Sequence, residues 1–94
     1  LKNPTGELTT TDFEKVRKLN LNNNQLTSVK GLEKLTQLTF LNLKDNQLTS
    51  VKGLEKLTQL RLLDLNRNPD LTKAQINELQ KALPKCKIYS NPPK

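Results

Sequence analysis

Apolar residues recur along this chain in steps of 3, 2 and 5, then in steps of 3, and the pattern returns every 22 residues. Val16, Leu19, Leu21, Asn24 and Leu26 make one frame. Leu38, Leu41, Leu43, Asn46 and Leu48 make the next, and Leu60, Leu63, Leu65 and Asn68 follow. Between frames, a 13-residue string is repeated letter for letter, at Leu26–Leu38 and again at Leu48–Leu60. A unit this short cannot bury its own apolar face, so the repetition predicts a stack of units in which each covers its neighbours.

Each part of the pattern predicts an element. The Leu-x-Leu pair has period two, so a short strand turns both leucines inward, and successive strands stack in parallel on the concave side. Val29, Leu32 and Leu35, and again Val51, Leu54 and Leu57, are spaced by three, which suits tight helical turns on the convex side. Gly31 and Gly53 relieve crowding or permit unusual backbone angles there. An inward asparagine, at Asn24, Asn46, Asn68 and Asn91, supplies hydrogen bonds to backbone groups where the chain turns inside the stack. This asparagine ladder is read as structural rather than ligand-binding.

The ends depart from the pattern. A degenerate fourth frame, Leu83-x-x-Cys86-x-Ile88-x-x-Asn91, starts 23 residues after Leu60 instead of 22. The displacement is placed near Asn68-Pro69-Asp70-Leu71. Before the frames, Thr9 to Lys15 reads as a short helix with a Thr11-x-x-Glu14 capping box, and Leu8, Phe13 and Val16 seal the first unit. Near the other end, Thr72-x-x-Gln75 reads as a second capping box. Ile76, Leu79 and Leu83 then form one apolar face of a helix at about 73–83, ended by Pro84. The expected organisation is a single domain over 1–94, with an N-terminal helical cap at 1–15 and repeats starting at 16, 38, 60 and 83. Both ends read as caps, which makes the domain self-contained. The start at Leu1 rather than Met suggests a mature or trimmed chain.

The pattern L-x-x-L-x-L-x-x-N-x-L resembles the leucine-rich repeat, and its 22-residue period is most similar to internalin-like bacterial proteins. The segment Leu71-Thr72-Lys73-Ala74-Gln75-Ile76-Asn77-Glu78-Leu79-Gln80 also resembles closing segments of bacterial repeat domains. The fold class that follows is α/β: a right-handed leucine-rich repeat solenoid with about four short parallel strands on the concave face and helical caps near both ends. The resemblance further implies an exported, extracytoplasmic or cell-surface protein that binds other proteins.

Composition changes this picture little. A net charge of +7, a mean hydropathy of −0.70 and 3% aromatic residues lean towards disorder. Yet Leu, Ile, Val and Phe make up 27 of the 94 residues, and their regular spacing overrides the bulk average. The chain has no histidine, which removes Ser-His and Cys-His catalytic pairs and the commonest metal ligand. The single cysteine, Cys86, can form no intrachain disulfide and no structural zinc site; it reads as a small apolar filler, with a disulfide dimer left open under oxidising conditions. The glycines stand alone at 6, 31 and 53, so no phosphate loop exists. No apolar run is long enough to cross a membrane. With Phe13 assigned to the cap, too few rings remain for a nucleic-acid stacking platform. These absences argue against an enzyme, a cofactor, a metal and specific nucleic-acid binding.

What remains is the concave surface. The variable positions there are Arg17, Lys18, Asn20, Asn22 and Asn23 in the first unit, and Thr39, Phe40, Asn42, Lys44 and Asp45 in the second. The third presents Arg61, Leu62, Asp64, Asn66 and Arg67, and the fourth Lys85, Lys87, Tyr89 and Ser90. Phe40 and Leu62 hold the same position in adjacent units and form an outward apolar pair, the kind of group that anchors a partner. Seven cations against two anions give this face a surplus of five positive charges, which would steer an acidic partner towards it. On the terminal strand, lysines also serve to discourage edge-to-edge pairing. The candidate binding residues are therefore Lys18, Asn20, Phe40, Asn42, Lys44, Leu62, Asp64, Arg67 and Lys87, for a partner that is another protein, acidic in character, bound by a monomer. Two other readings stay open: a spacer or consensus-like repeat with no ligand of its own, and electrostatic attachment to an acidic polymer.

Overall fold

A computed structural model describes residues 16–91, and the N-terminal cap expected at 1–15 lies outside the described residues. Four three-residue strands, β1 (Lys18–Asn20), β2 (Phe40–Asn42), β3 (Leu62–Asp64) and β4 (Lys87–Tyr89), form one parallel sheet in chain order. This is the short solenoid that the leucine spacing predicts. Leu41, Leu43, Leu63 and Leu65 have no exposed surface, because each points from its strand into the stack between two neighbouring coils. The leucines of the first frame, Leu19, Leu21 and Leu26, pack on the same core but are only half-buried.

The wall opposite the sheet is made by the duplicated string. Leu32–Lys34 and Leu54–Lys56 each form one turn of 3₁₀ helix. Val29, Leu35, Val51, Leu54 and Leu57 fill the space beneath them. Each turn is entered through a glycine in the left-handed region, Gly31 at φ 96° and Gly53 at φ 107°. Nothing lies within 4 Å of where a Gly31 Cβ would stand, so the angle requires glycine there and space does not. The Gly31 and Gly53 N–H groups donate to the carboxylates of Glu33 and Glu55, which explains a glutamate two residues after each glycine.

Two asparagines tie the coils together from within. The Asn46 Oδ1 accepts from the Asn24 and Leu26 N–H groups, and its Nδ2 donates to the Leu21 and Leu43 carbonyls. Asn68, with no exposed surface, accepts from Leu48 N–H and donates to the Leu43 and Leu65 carbonyls. Each amide thus closes its own turn and the end of the preceding strand. Asn24 and Asn91 do not repeat this. Asn24 is exposed, and its Nδ2 donates to the Asn22 carbonyl in its own turn. Asn91 is half-buried and bonds the Asn68 backbone on both sides, donating at 2.7 Å and accepting at 3.1 Å.

The fourth unit corrects the sequence alignment. An α-helix, α1 (Lys73–Ala82), replaces the 3₁₀ turn in the third connection. Thr72 and Gln75 cap it reciprocally, and the Gln75 Nε2 donates to the Thr49 carbonyl of the coil before. A turn at Pro84–Cys86 then adds two residues between Leu83 and the strand, and the Gln80 Nε2 holds that turn through the Leu83 and Cys86 carbonyls. The strand register follows: Leu63 pairs with Ile88 and Leu62 with Lys87, an offset of 25 instead of 23. Ile88 therefore takes the column of Leu63 rather than that of Leu65, Cys86 lies before the strand, and Lys85 is outside β4. Asn91 follows β4 too closely to reach the strand carbonyls as Asn46 and Asn68 do.

The ladder predicts an order of stabilities. Replacing Asn68 with Ala leaves buried carbonyls and one N–H unpaired and lowers the unfolding free energy by about 1–3 kcal/mol or more. Asn24→Ala stays within about 0.5 kcal/mol, as an exposed substitution should. Urea unfolding of the two variants checks this, and equal losses would count against an inward amide as the tie.

Candidate functional site: the outward strand face

Because Leu19, Leu41, Leu63 and Ile88 face the core, their strand neighbours face out. The registry arranges these outward residues in two rows. Lys18, Phe40, Leu62 and Lys87 lie side by side in one; Asn20, Asn42, Asp64 and Tyr89 lie side by side in the other. The repeat frame assigns all eight to outward positions, and seven of them are among the candidate binding residues. Tyr89, among the outward positions but not chosen as a site residue, is the large apolar side chain with most exposure among the described residues, at 41%. The Lys87 Nζ stands 5.9 Å from the centre of its ring, a cation–π contact between two residues on the same side of β4. The 23-residue alignment places Lys87 beside Asp64; the register places Lys87 beside Leu62 and Tyr89 beside Asp64.

The second row has structural work to do. The Asn20 Oδ1 accepts from Asn22 N–H, Asn42 Oδ1 from Lys44 N–H, and Asp64 Oδ1 from Asn66 N–H, each at 3.0 Å. These side chains terminate their strands by imitating a backbone turn, so one oxygen of each is engaged before any partner arrives. The next residue but two is left-handed in the first three coils: Asn23 at φ 55°, Asp45 at φ 59° and Arg67 at φ 60°. Asn and Asp tolerate that angle and Arg does not benefit from it. Arg67 also pairs with Asp45 at 3.5 Å, across an exposed surface. Lys44 is half-buried in the turn after β2. Lys44 and Arg67 thus lie beyond the strands, whereas Lys18, Phe40, Leu62 and Lys87 share one row.

Nothing on this face resembles a catalytic centre. A surface depression of about 400 Å³ lies instead between the second 3₁₀ turn and α1, lined by Ser50, Lys52, Glu55, Gln75, Glu78 and Leu79. Its Glu55 carboxyl is held below the usual carboxylate range, first by its own N–H and then by that of Gly53, with Lys56 and Lys52 adding to the effect. A general acid needs the opposite shift. Among the described residues, no cluster of acidic or cysteine side chains is placed to hold a metal ion, and no helix is long and apolar enough to cross a membrane. Cys86 is only 3% exposed, and burial pushes its thiol pKa up. A disulfide to a second copy would require that turn to open, so the Cys86 thiol fills space instead.

Short parallel strands in chain order, joined by brief turns on the opposite wall, define a solenoid repeat protein. Family models described as "Leucine Rich repeats (2 copies)" match residues 14–48 and 36–81, and the chain belongs to the leucine-rich repeat family. Members of this family are generally non-enzymatic and commonly bind proteins. Curated protein sequences gave no match to the chain.

Two consequences can be measured. Arg67→Asn accepts the left-handed angle at less cost, and the exposed ion pair that it removes is worth little, so the midpoint of unfolding rises, by up to about 1 kcal/mol in stability. Glu55 has a lower pKa folded than unfolded, so its contribution is present above the ordinary carboxylate pKa and is lost as pH falls through the folded one. The stability difference between the protein and its Glu55→Gln variant therefore shrinks as pH is taken from neutral into the acid range; a difference that does not change with pH would contradict this.

Proposed function

We propose that this chain is a non-enzymatic protein-binding module that holds its partner on the outward strand face. The observation that carries the proposal is the placement of Phe40 beside Leu62, paired in register at the middle of the sheet, half-buried, on the side away from the core. Core packing does not call for an apolar residue at either position, since Leu41 and Leu63 already fill the interior. An aromatic and an aliphatic side chain side by side, rimmed by polar groups, have the make-up of an interface anchor. The flanking residues differ from coil to coil, whereas the first two connections on the opposite wall repeat letter for letter. A spacer would have no reason to vary one wall alone. The 22-residue coil is also the length of the internalin-like bacterial repeats, which supports an exported setting and an origin in that class.

The test is capture of partners from extracts and surface fractions of the source organism, with the protein compared against Phe40→Ala/Leu62→Ala. The anchor's removal weakens capture at least tenfold, about 1.4 kcal/mol. The Phe40→Thr/Leu62→Thr variant keeps a strand-forming side chain at both positions and guards against loss of the fold. Undiminished capture by either folded variant removes the strand face as the binding surface.

A further inference from the structure

We infer that the strand face takes an extended acidic peptide segment, with a bulky apolar residue seated between Phe40 and Leu62 and a carboxylate two positions to either side reaching Lys18 and Lys87. This rests on the protein-binding reading above and adds the chemistry of the partner.

The row has a defined order: cation, aromatic, aliphatic, cation. Lys18 pairs with Phe40, Phe40 with Leu62, and Leu62 with Lys87. Parallel strands stand about 4.8 Å apart, so the two lysines are separated by three such steps, about 14 Å along the row. An extended chain crossing the strands repeats its same-side residues every 6.7 Å or so; the first and third fall about 13 Å apart and the second falls midway, over the gap between Phe40 and Leu62. The fit gives acidic-x-apolar-x-acidic. A helix covering the same span needs about nine steps of 1.5 Å, and at 3.6 residues per turn its two end side chains point to opposite sides. The row therefore selects an extended segment.

Charge selects its sign. Lys18 and Lys87 are exposed, Arg61 stands exposed immediately before β3, and Lys44 follows β2. Against them, Asp45 is paired with Arg67, and one oxygen of Asp64 is engaged by the Asn66 N–H. The contact with the Tyr89 ring holds the Lys87 ammonium close to the face, so less of its freedom remains to be lost on pairing. The net charge of +7 draws an acidic segment in over longer distances. A bare polyanion fits less well: it would find lysines on the opposite wall too, at Lys30, Lys34, Lys52 and Lys56, and would gain nothing from Phe40 and Leu62.

A randomised dodecapeptide library displayed on phage tests this directly. It is panned on the protein, on Phe40→Thr/Leu62→Thr and on Lys18→Glu/Lys87→Glu, each verified as folded by circular dichroism and thermal melting. The expected consensus on the protein is acidic-x-apolar-x-acidic. Its enrichment falls at least tenfold on the threonine variant, and the flanking positions change to Lys and Arg on the glutamate variant. A consensus that needs Phe40 and Leu62 but carries no acidic flanks, or carries them at another spacing, overturns this inference and leaves the protein-binding reading standing. Acid-rich peptides with no apolar position, retained on the threonine variant and released by moderate salt, show attachment through bulk charge and overturn both. So does a library with no enrichment over a blank surface.

Discussion

The amide of a buried asparagine is the constraint on which the rest of this fold depends. The Leu21, Leu43 and Leu65 carbonyls, one residue past each three-residue strand, stand where the chain turns inside the stack and take their hydrogen bonds from side-chain amides. Asn46 and Asn68 meet that demand with groups of both polarities, donating to the strand ends of their own coil and of the one before. Because each amide spans two coils, it fixes their relative height as well as closing the turn. The strand register is a consequence, and so is the alignment of Phe40 with Leu62, since a slip by one residue would turn both towards the core.

The same economy explains why so little of the strand face is free to specialise. In the first three coils the second outward position ends its strand, Asn20, Asn42 and Asp64 each accepting an N–H two residues on. The turns after those strands also pass through left-handed residues, at Asn23, Asp45 and Arg67. What remains for recognition is the row that neither turn nor core requires. Variation in that row, from Lys18 to Phe40 to Leu62 to Lys87, leaves the scaffold almost untouched, whereas variation in the neighbouring row is restricted to side chains that can accept a bond from the backbone.

The fold was legible in the sequence wherever the period was 22, and the strands, the convex turns and the inward leucines follow from it. Legibility failed where a helix replaced a turn. Leu83-x-x-Cys86-x-Ile88-x-x-Asn91 keeps the template's spacing, yet α1 and the turn at Pro84–Cys86 shift the strand by two residues, and only the paired register reveals it. The local role of Asn20, Asn42 and Asp64 escaped for a different reason: a side chain bonding the backbone two residues away leaves no periodic hydrophobic signal, and polar residues on an outward face look available until their acceptors are seen to be engaged. Asn91 shows the converse, since a letter that fits the template takes other surroundings once the strand has shifted by two residues.

A binding surface made from a sheet of this kind differs from one made from loops in where its entropy is lost. Among the described residues, β2 and β3 are held on both sides by neighbouring strands and β1 and β4 on one, and all four rest on a common leucine core, so a partner orders little of this chain's backbone on arrival. Phe40 and Leu62 are already half-buried against adjoining side chains, which leaves the lysines as the groups that must give up freedom. That cost is smaller at Lys87, which rests against Tyr89, than at Lys18, for which no such contact is found among the described residues. The two ends of the row are therefore unequal, and the end with the tyrosine is where a carboxylate would be held more tightly.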